Sequence, residues 1–255
     1  MSELGKIGTY QFVAEPFHVD YTGHLTIGVL GNHLLNVAGF HSHDRGFGID
    51  KLNEENYTWV LSRLALEMTD LPYQYEPFTV ETWVENVYRL FTDRNFAVYD
   101  KGGKPIVYGR SVWAMINTET RKPVDLMAIH NGDIAGYICD KECPIEKPSR
   151  IKVSSQKPVE VLPVKYSDID INGHVNSIRY IEHILDLFPV ETFKGKWVKR
   201  FEMAYVAETK ADDKMAFYID KVDDNHFDVE VRKNEQEVVC RSKVIFIDRY
   251  ALINN

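Results

Sequence analysis

The sequence predicts an α+β protein built as two tandem copies of one unit, each a long helix packed across several antiparallel strands. Three observations predict it. The stretch FAVYDKGGKPIVYGRSVWAMIN, from Phe96, has a counterpart in FDVEVRKNEQEVVCRSKVIFID, from Phe227; the offset of 131 positions also carries Arg110-Ser111 onto Arg241-Ser242. Upstream, FHVDYTGHLTIGVLGNHLLNVAGF aligns with LPVKYSDIDINGHVNSIRYIEHIL, pairing Tyr21 with Tyr166 and His33 with His174. Around these words the apolar residues follow two periods, three-to-four in some segments and two in others, which are the marks of helix and strand.

Each copy reads as short strand, loop, long helix and a run of strands. In the first, Leu34, Leu35, Val37, Ala38 and Phe40 form a helical stripe after His33. Residues 59–68, 78–87, 96–100 and 106–117 are rich in β-branched and aromatic residues and read as strands. In the second copy, Val175, Ile178, Ile181, Ile184, Leu185 and Phe188 make the stripe, and Pro189 ends it. Asp170 or Asn172 is the expected N-cap, because a short side-chain oxygen accepts a first-turn N–H. Strands are expected over 196–206, 215–222, 227–233 and 238–247, with polar turns DKGGKP and RKNEQE closing two hairpins. The domains are then 1–130 and 158–255, joined by a linker over 131–157 that contains Pro144 and Pro148.

Composition narrows the function. With 44% hydrophobic and 27% charged residues, the 255-residue chain has enough apolar material for a sizeable core. A net charge of −8 argues against sequence-independent nucleic-acid binding. No apolar run approaches a membrane span, and the N-terminus lacks a signal or transit character. Three cysteines, Cys139, Cys143 and Cys240, are too few and odd in number for a disulfide framework, which fits a reducing cytoplasm. His41, His43 and Asp44 do not make a metal site, since residues two apart do not share a helix face, and they read as exposed loop residues. Cys139 and Cys143 lack a second ligand pair. GRSVW around Ser111 misses the final glycine of a nucleophile elbow and lies in a strand.

SDIDINGHVNS, residues 167–177, places two carboxylates, an amide and an imidazole where a helix begins. With the words that follow, SDIDINGHVNSIRYIEHIL resembles the D-x-D-x-N-x-H-V-N-x-x-x-Y-I signature of plant-type acyl-acyl-carrier-protein thioesterases. NHLLNVAGFHS, GFGID, YTWVLSRLALEM, VETWV and SVWAMINTETRKPV extend the resemblance over nearly the whole chain. It implies two tandem hotdog domains, the first holding the acyl chain and the second catalytic. It places the family's catalytic Asp, Asn and His on Asp170, Asn172 and His174. Its glutamate falls on Glu208 within AYVAETKADD; its cysteine position carries Thr209, so a thiol mechanism is not available there.

The implied reaction is hydrolysis of the thioester of acyl-acyl carrier protein, releasing free fatty acid and ending chain elongation, in a bacterial cytoplasmic enzyme. No cofactor and no metal are implied. A thioester needs an activated water and donors for the developing oxyanion. Glu208 or His174 is the expected base, Asn172 orients water or carbonyl, Asp170 fixes His174 or the helix start, and the 172–176 backbone is the expected source of N–H donors. Direct attack by Asp170 or Glu208 is the alternative route. His33, Leu34, Leu35, Val37 and Ala38 are candidates for lining the acyl pocket, with ordinary core packing as the competing reading. The partner is an acidic acyl carrier protein, met by Lys147, Arg150 and Lys152 or by Lys194, Lys196, Lys199 and Arg200; a homodimer is compatible with the sequence. Two other classes stay open: an acyl-CoA thioesterase, and a non-hydrolytic double-hotdog dehydratase or acyl-binding protein, kept in play by the absent cysteine.

Overall fold

The computed structural model describes residues 4–249. They form two compact units, one comprising the chain up to Leu64 with Asp70–Glu146, the other Ala65–Thr69 with the chain from Lys147 onward.

The first unit contains β1 (Ile7–Val13), α1 (Ile27–Asp44), α2 (Ile49–Glu54), β2 (Tyr57–Met68, its end belonging to the second unit), β3 (Pro77–Val87), β4 (Phe91–Tyr99) and β5 (Pro105–Asn117). Its strands lie in the order β1-β3-β4-β5-β2. α1 buries Leu30, Leu34, Val37, Ala38 and His41, a stripe at three- and four-residue spacing, against a sheet whose core includes Val80, Trp83, Phe96 and Val98. The helix begins earlier than the repeat predicts: Thr26 caps it, its Oγ1 accepting the Val29 N–H at 3.2 Å, and His33 lies well inside. Phe40 falls off the stripe and is exposed.

The second unit contains β6 (Glu160–Pro163), α3 (Ser177–Asp186), α4 (Val190–Gly195), β7 (Lys196–Tyr205), β8 (Lys214–Lys221), β9 (His226–Lys233) and β10 (Glu237–Asp248). The order is β7-β10-β9-β8-β6, antiparallel throughout. α3 buries Ile178, Tyr180, Ile181 and Ile184. Its cap is Asn176, not Asp170 or Asn172: the Asn176 Oδ1 accepts the Ile178 N–H at 2.8 Å. Both expected hairpins form, β4–β5 and β9–β10.

The stretch read as a linker is laid along the sheets. In the first unit Trp83 Nε1 donates to the Lys141 carbonyl at 2.8 Å, and Arg110 donates to the carbonyls of Cys143 and Ile145, each at 2.7 Å. In the second, the Ser149 backbone N–H and hydroxyl donate to Glu202, and those of Ser154 and Ser155 to Asp220. No helix among the described residues is long and apolar enough to cross a membrane.

Candidate active site

The site grows from a tight turn between β6 and α3. Asp168 is buried; its Oδ2 accepts the Lys165 N–H at 2.7 Å, and its Oδ1 lies 2.8 Å from His183 Nε2 on α3. That pair anchors the front of the turn to the helix. Gly173 then takes φ +77, a left-handed conformation suited to glycine. Asp170 closes the turn: its Oδ1 accepts the N–H of Asn172 at 2.8 Å and of His174 at 3.3 Å, and its own N–H donates to the His174 carbonyl at 2.8 Å. This is an Asx turn, the reason an Asp two residues before Asn172 shapes the loop.

The segment after β7 pairs with the far side of the turn. The Val175 N–H donates to the Thr209 carbonyl at 2.8 Å, and His174 bridges to Lys210. These backbone links bring the Glu208 carboxylate to the imidazole: His174 Nε2 and Glu208 Oε2 are 3.3 Å apart, with side chains 22% and 41% exposed. Asp170, His174 and Glu208 therefore share one partly open corner, with Asn172 exposed at the tip of the turn.

Thr209 faces the other way. It is fully buried, and its Oγ1 accepts the Tyr180 hydroxyl at 2.7 Å. Burial pushes the Tyr180 phenol well above the ordinary tyrosine range, so it stays protonated and donates. Thr209 locks α3 to the segment after β7 that presents Glu208.

The backbone of 172–176 does not supply oxyanion donors. Its N–H groups donate in order to Asp170 Oδ1, the Asp170 carbonyl, Asp170 Oδ1, the Thr209 carbonyl and the Asp168 carbonyl. Sequence reasoning missed Asp168–His183, Asn176 and Tyr180 as the frame of the site. The first had a signal, a second carboxylate two residues ahead of Asp170 and a histidine on α3.

Of the acyl-pocket candidates, Leu35 and Ala38 line a small cavity in the first unit with Phe47, Trp59, Val84 and Trp113. Leu34 and Val37 are core. His33 lines a separate cleft and packs its ring on Phe12 and Phe78, 4.4 and 5.4 Å between centroids. Arg94 is buried on the small cavity's wall, held by Thr82 Oγ1 and Ser42 Oγ at 3.1 Å and by His41 Nδ1 at 3.3 Å. His41 is thus buried on α1 rather than an exposed loop residue, and His43 pairs with Asp50 at 3.1 Å. Among the described residues no group of three or more His, Cys, Asp or Glu is placed to hold a metal ion, and all three cysteines are free. Ser111 is buried, its hydroxyl donating to the Arg94 carbonyl at 3.0 Å. Of the basic clusters, Lys147, Arg150 and Lys152 are exposed. In the other, Arg200 is buried against Glu202 and Glu67 at 2.7 and 2.9 Å and Lys194 pairs with Glu191 at 2.7 Å, while Lys199 is exposed.

Two helix-on-sheet units with an Asp-x-Asn-x-His turn facing a glutamate define a thioesterase-type hotdog scaffold, and comparison with known proteins gives the family. Residues 9–129 match the acyl-ACP thioesterase N-terminal domain, and 150–248 the acyl-ACP thioesterase C-terminal domain. The chain belongs to the acyl-ACP thioesterase family. The crystal structure of an acyl-ACP thioesterase from Bacteroides thetaiotaomicron is 71% identical, with a TM-score of 0.91 over 95% of this chain and 98% of that one. The 12:0-ACP thioesterase from Umbellularia californica shares the fold at 18% identity, with a TM-score of 0.85 over 98% of this chain and 100% of that one. Oleoyl-acyl carrier protein thioesterase 2 of Arabidopsis thaliana is 26% identical over 220 residues, 80% of this chain. The chain spans 60% of the length of that plant relative.

Proposed function

We propose that this chain hydrolyses the thioester of acyl-acyl carrier protein and releases free fatty acid, in the cytoplasm of a bacterium. The observation that carries this reading is the 3.3 Å approach of Glu208 to His174 on a turn fixed by Asp170. Water held at the pair attacks the acyl carbonyl. The imidazole takes its proton, and the carboxylate neutralises the imidazolium so formed. The tetrahedral oxyanion needs a donor, and with the 172–176 N–H groups engaged that role falls to the carboxamide of Asn172. Collapse breaks the C–S bond, and the proton passes from His174 to the departing thiolate. Thr209, buried behind the site, takes no covalent part.

The first half, residues 1–130, holds the acyl chain in the cavity lined by Leu35 and Ala38, and residues 158–255 supply the chemistry. Lys147, Arg150 and Lys152 meet the acidic carrier. The test is thiol release from one acyl chain offered on carrier protein and on coenzyme A. Faster turnover of the carrier-bound chain supports the reading; preference for the coenzyme A thioester makes it an acyl-CoA thioesterase, and unsaturated product without thiol makes it a dehydratase.

A further inference from the structure

The small cavity beside α1 holds a cation without an anion. Arg94, on β4, is only 6% exposed and lines it. Its partners are neutral acceptors: Nη1 donates to His41 Nδ1 at 3.3 Å and to Thr82 Oγ1 at 3.1 Å, and Nη2 donates to Ser42 Oγ at 3.1 Å. His41 accepts as a neutral ring, its Nε2–H turned to the Lys6 carbonyl at 3.2 Å, and the Thr82 hydroxyl donates onward to the Asn95 carbonyl at 3.1 Å. A guanidinium carries five N–H donors, so two of those on Arg94 have no partner among the described residues. No carboxylate acts on its charge: burial first, and then Arg45, pull the guanidinium down to about 10, and Tyr10 acts the other way.

The rest of the wall narrows what answers that charge. Ser42 and Thr92 line the same cavity. Ser42 Oγ accepts from Arg94 and keeps its own proton to donate. The Thr92 hydroxyl, two residues from Arg94 on β4, has no partner among the described residues. The N–H groups of Trp59 and Trp113 are already spent, on the Phe47 carbonyl at 3.0 Å and Ser111 Oγ at 2.8 Å. The remaining lining is chiefly aliphatic and aromatic, Leu35 and Ala38 included. A buried charge is costly unless an opposite charge meets it, and a carboxylate accepts from a guanidinium and from hydroxyls at once. A plain hydrocarbon chain in this cavity leaves Arg94 uncompensated.

We propose that this cavity is a site for the carboxylate of a short aliphatic acid, Arg94, Ser42 and Thr92 holding its oxygens and Leu35, Ala38 and Trp59 its tail; the inference rests on the thioesterase reading only for the source of the acid. A released fatty acid bears such a group, and so does an acyl chain carboxylated at its far end. No bond is made or broken at the site. A free acid bound there fills the space assigned to the acyl chain and so opposes turnover.

The test is calorimetric titration of the full chain with octanoate and with 1-octanol at neutral pH. The parent is expected to bind octanoate about tenfold tighter than the alcohol, and Arg94→Gln to remove that difference by weakening octanoate alone. If Arg94→Gln does not fold, Thr92→Val and Ser42→Ala, shown folded by thermal melts, are each expected to weaken octanoate severalfold. The His174→Ala/Glu208→Gln variant is expected to bind octanoate as the parent does, which separates this cavity from the reacting corner. No saturable binding of octanoate, equal affinity for acid and alcohol, affinity that the cavity substitutions leave unchanged, or affinity lost in the His174→Ala/Glu208→Gln variant overturns the proposal. Two kinetic arms separate the sources. Octanoate that inhibits turnover of octanoyl-carrier protein in the parent but not in Arg94→Gln makes the released acid the ligand. Faster turnover of the N-acetylcysteamine half-thioester of octanedioate than of the octanoyl thioester makes it the far end of the substrate. Failure of the main reading looks different: octanoate would then still bind while no thioester is turned over.

Discussion

His174 and Glu208 meet because each is pinned by backbone on either side, His174 through the Gly173 and Val175 N–H groups, Glu208 through the Ala207 N–H and the Thr209 carbonyl. The identities of the four polar residues were legible in the sequence, through the word DIDINGH and the resemblance it carries. The role of Thr209 was not, because a residue at the position of a reactive cysteine gives no sign of which way it points. Here the hydroxyl is an acceptor for a buried phenol. Thr209→Val therefore leaves the Tyr180 hydroxyl unsatisfied and is expected to cost about 1–3 kcal/mol of stability in a denaturant titration, whereas Thr209→Ser keeps the acceptor and costs much less. Thr209→Cys is expected to introduce no covalent acyl-enzyme, which mass spectrometry after rapid quench checks.

At the scale of elements, the strands were readable because alternation of apolar and polar residues survives wherever one face of a sheet is covered. The start of α1 was misread because the halves were matched on Tyr21 with Tyr166 and on His33 with His174. The left-handed glycines Gly23 and Gly173 set the register instead, and a one-word alignment had no means to weigh backbone conformation. The two glycines differ in surroundings. A Cβ on Gly173 meets nothing within 4 Å, so Gly173→Ala carries only backbone strain, about 1 kcal/mol. On Gly23 it would sit 2.5 Å from the Tyr73 ring, so Gly23→Ala is expected to lower the melting temperature further than Gly173→Ala. The cavity beside α1 gives a prediction of its own. Ala38→Phe fills it and is expected to shift turnover toward shorter chains, by roughly fourfold for each methylene excluded at about 0.8 kcal/mol, read from a chain-length panel.

For the molecule as a whole, the net charge of −8 makes association with an acidic carrier depend on local positive charge. If Lys147, Arg150 and Lys152 form the contact, kcat/KM for carrier-bound substrate falls as salt rises, while turnover of an N-acetylcysteamine thioester does not. Stability carries a separate pH signature. Burial first, and then the Arg94 and Arg45 charges, pull the His41 imidazole down to about 3 from an ordinary 6.5. The unfolded chain therefore binds about one more proton at His41 between those values. That contribution to stability is present above pH 6.5 and is lost as pH falls toward 3, and His41→Gln is expected to flatten this part of the melting profile. The central claim, that imidazole and carboxylate act as one unit, is tested most directly by a double-mutant cycle on kcat/KM for acyl-acyl carrier protein. His174→Ala and Glu208→Gln are each expected to lower it roughly 10²–10⁴-fold, with the double variant little worse than the poorer single one. Fully additive losses, or near-parental rates in either single variant, would contradict it.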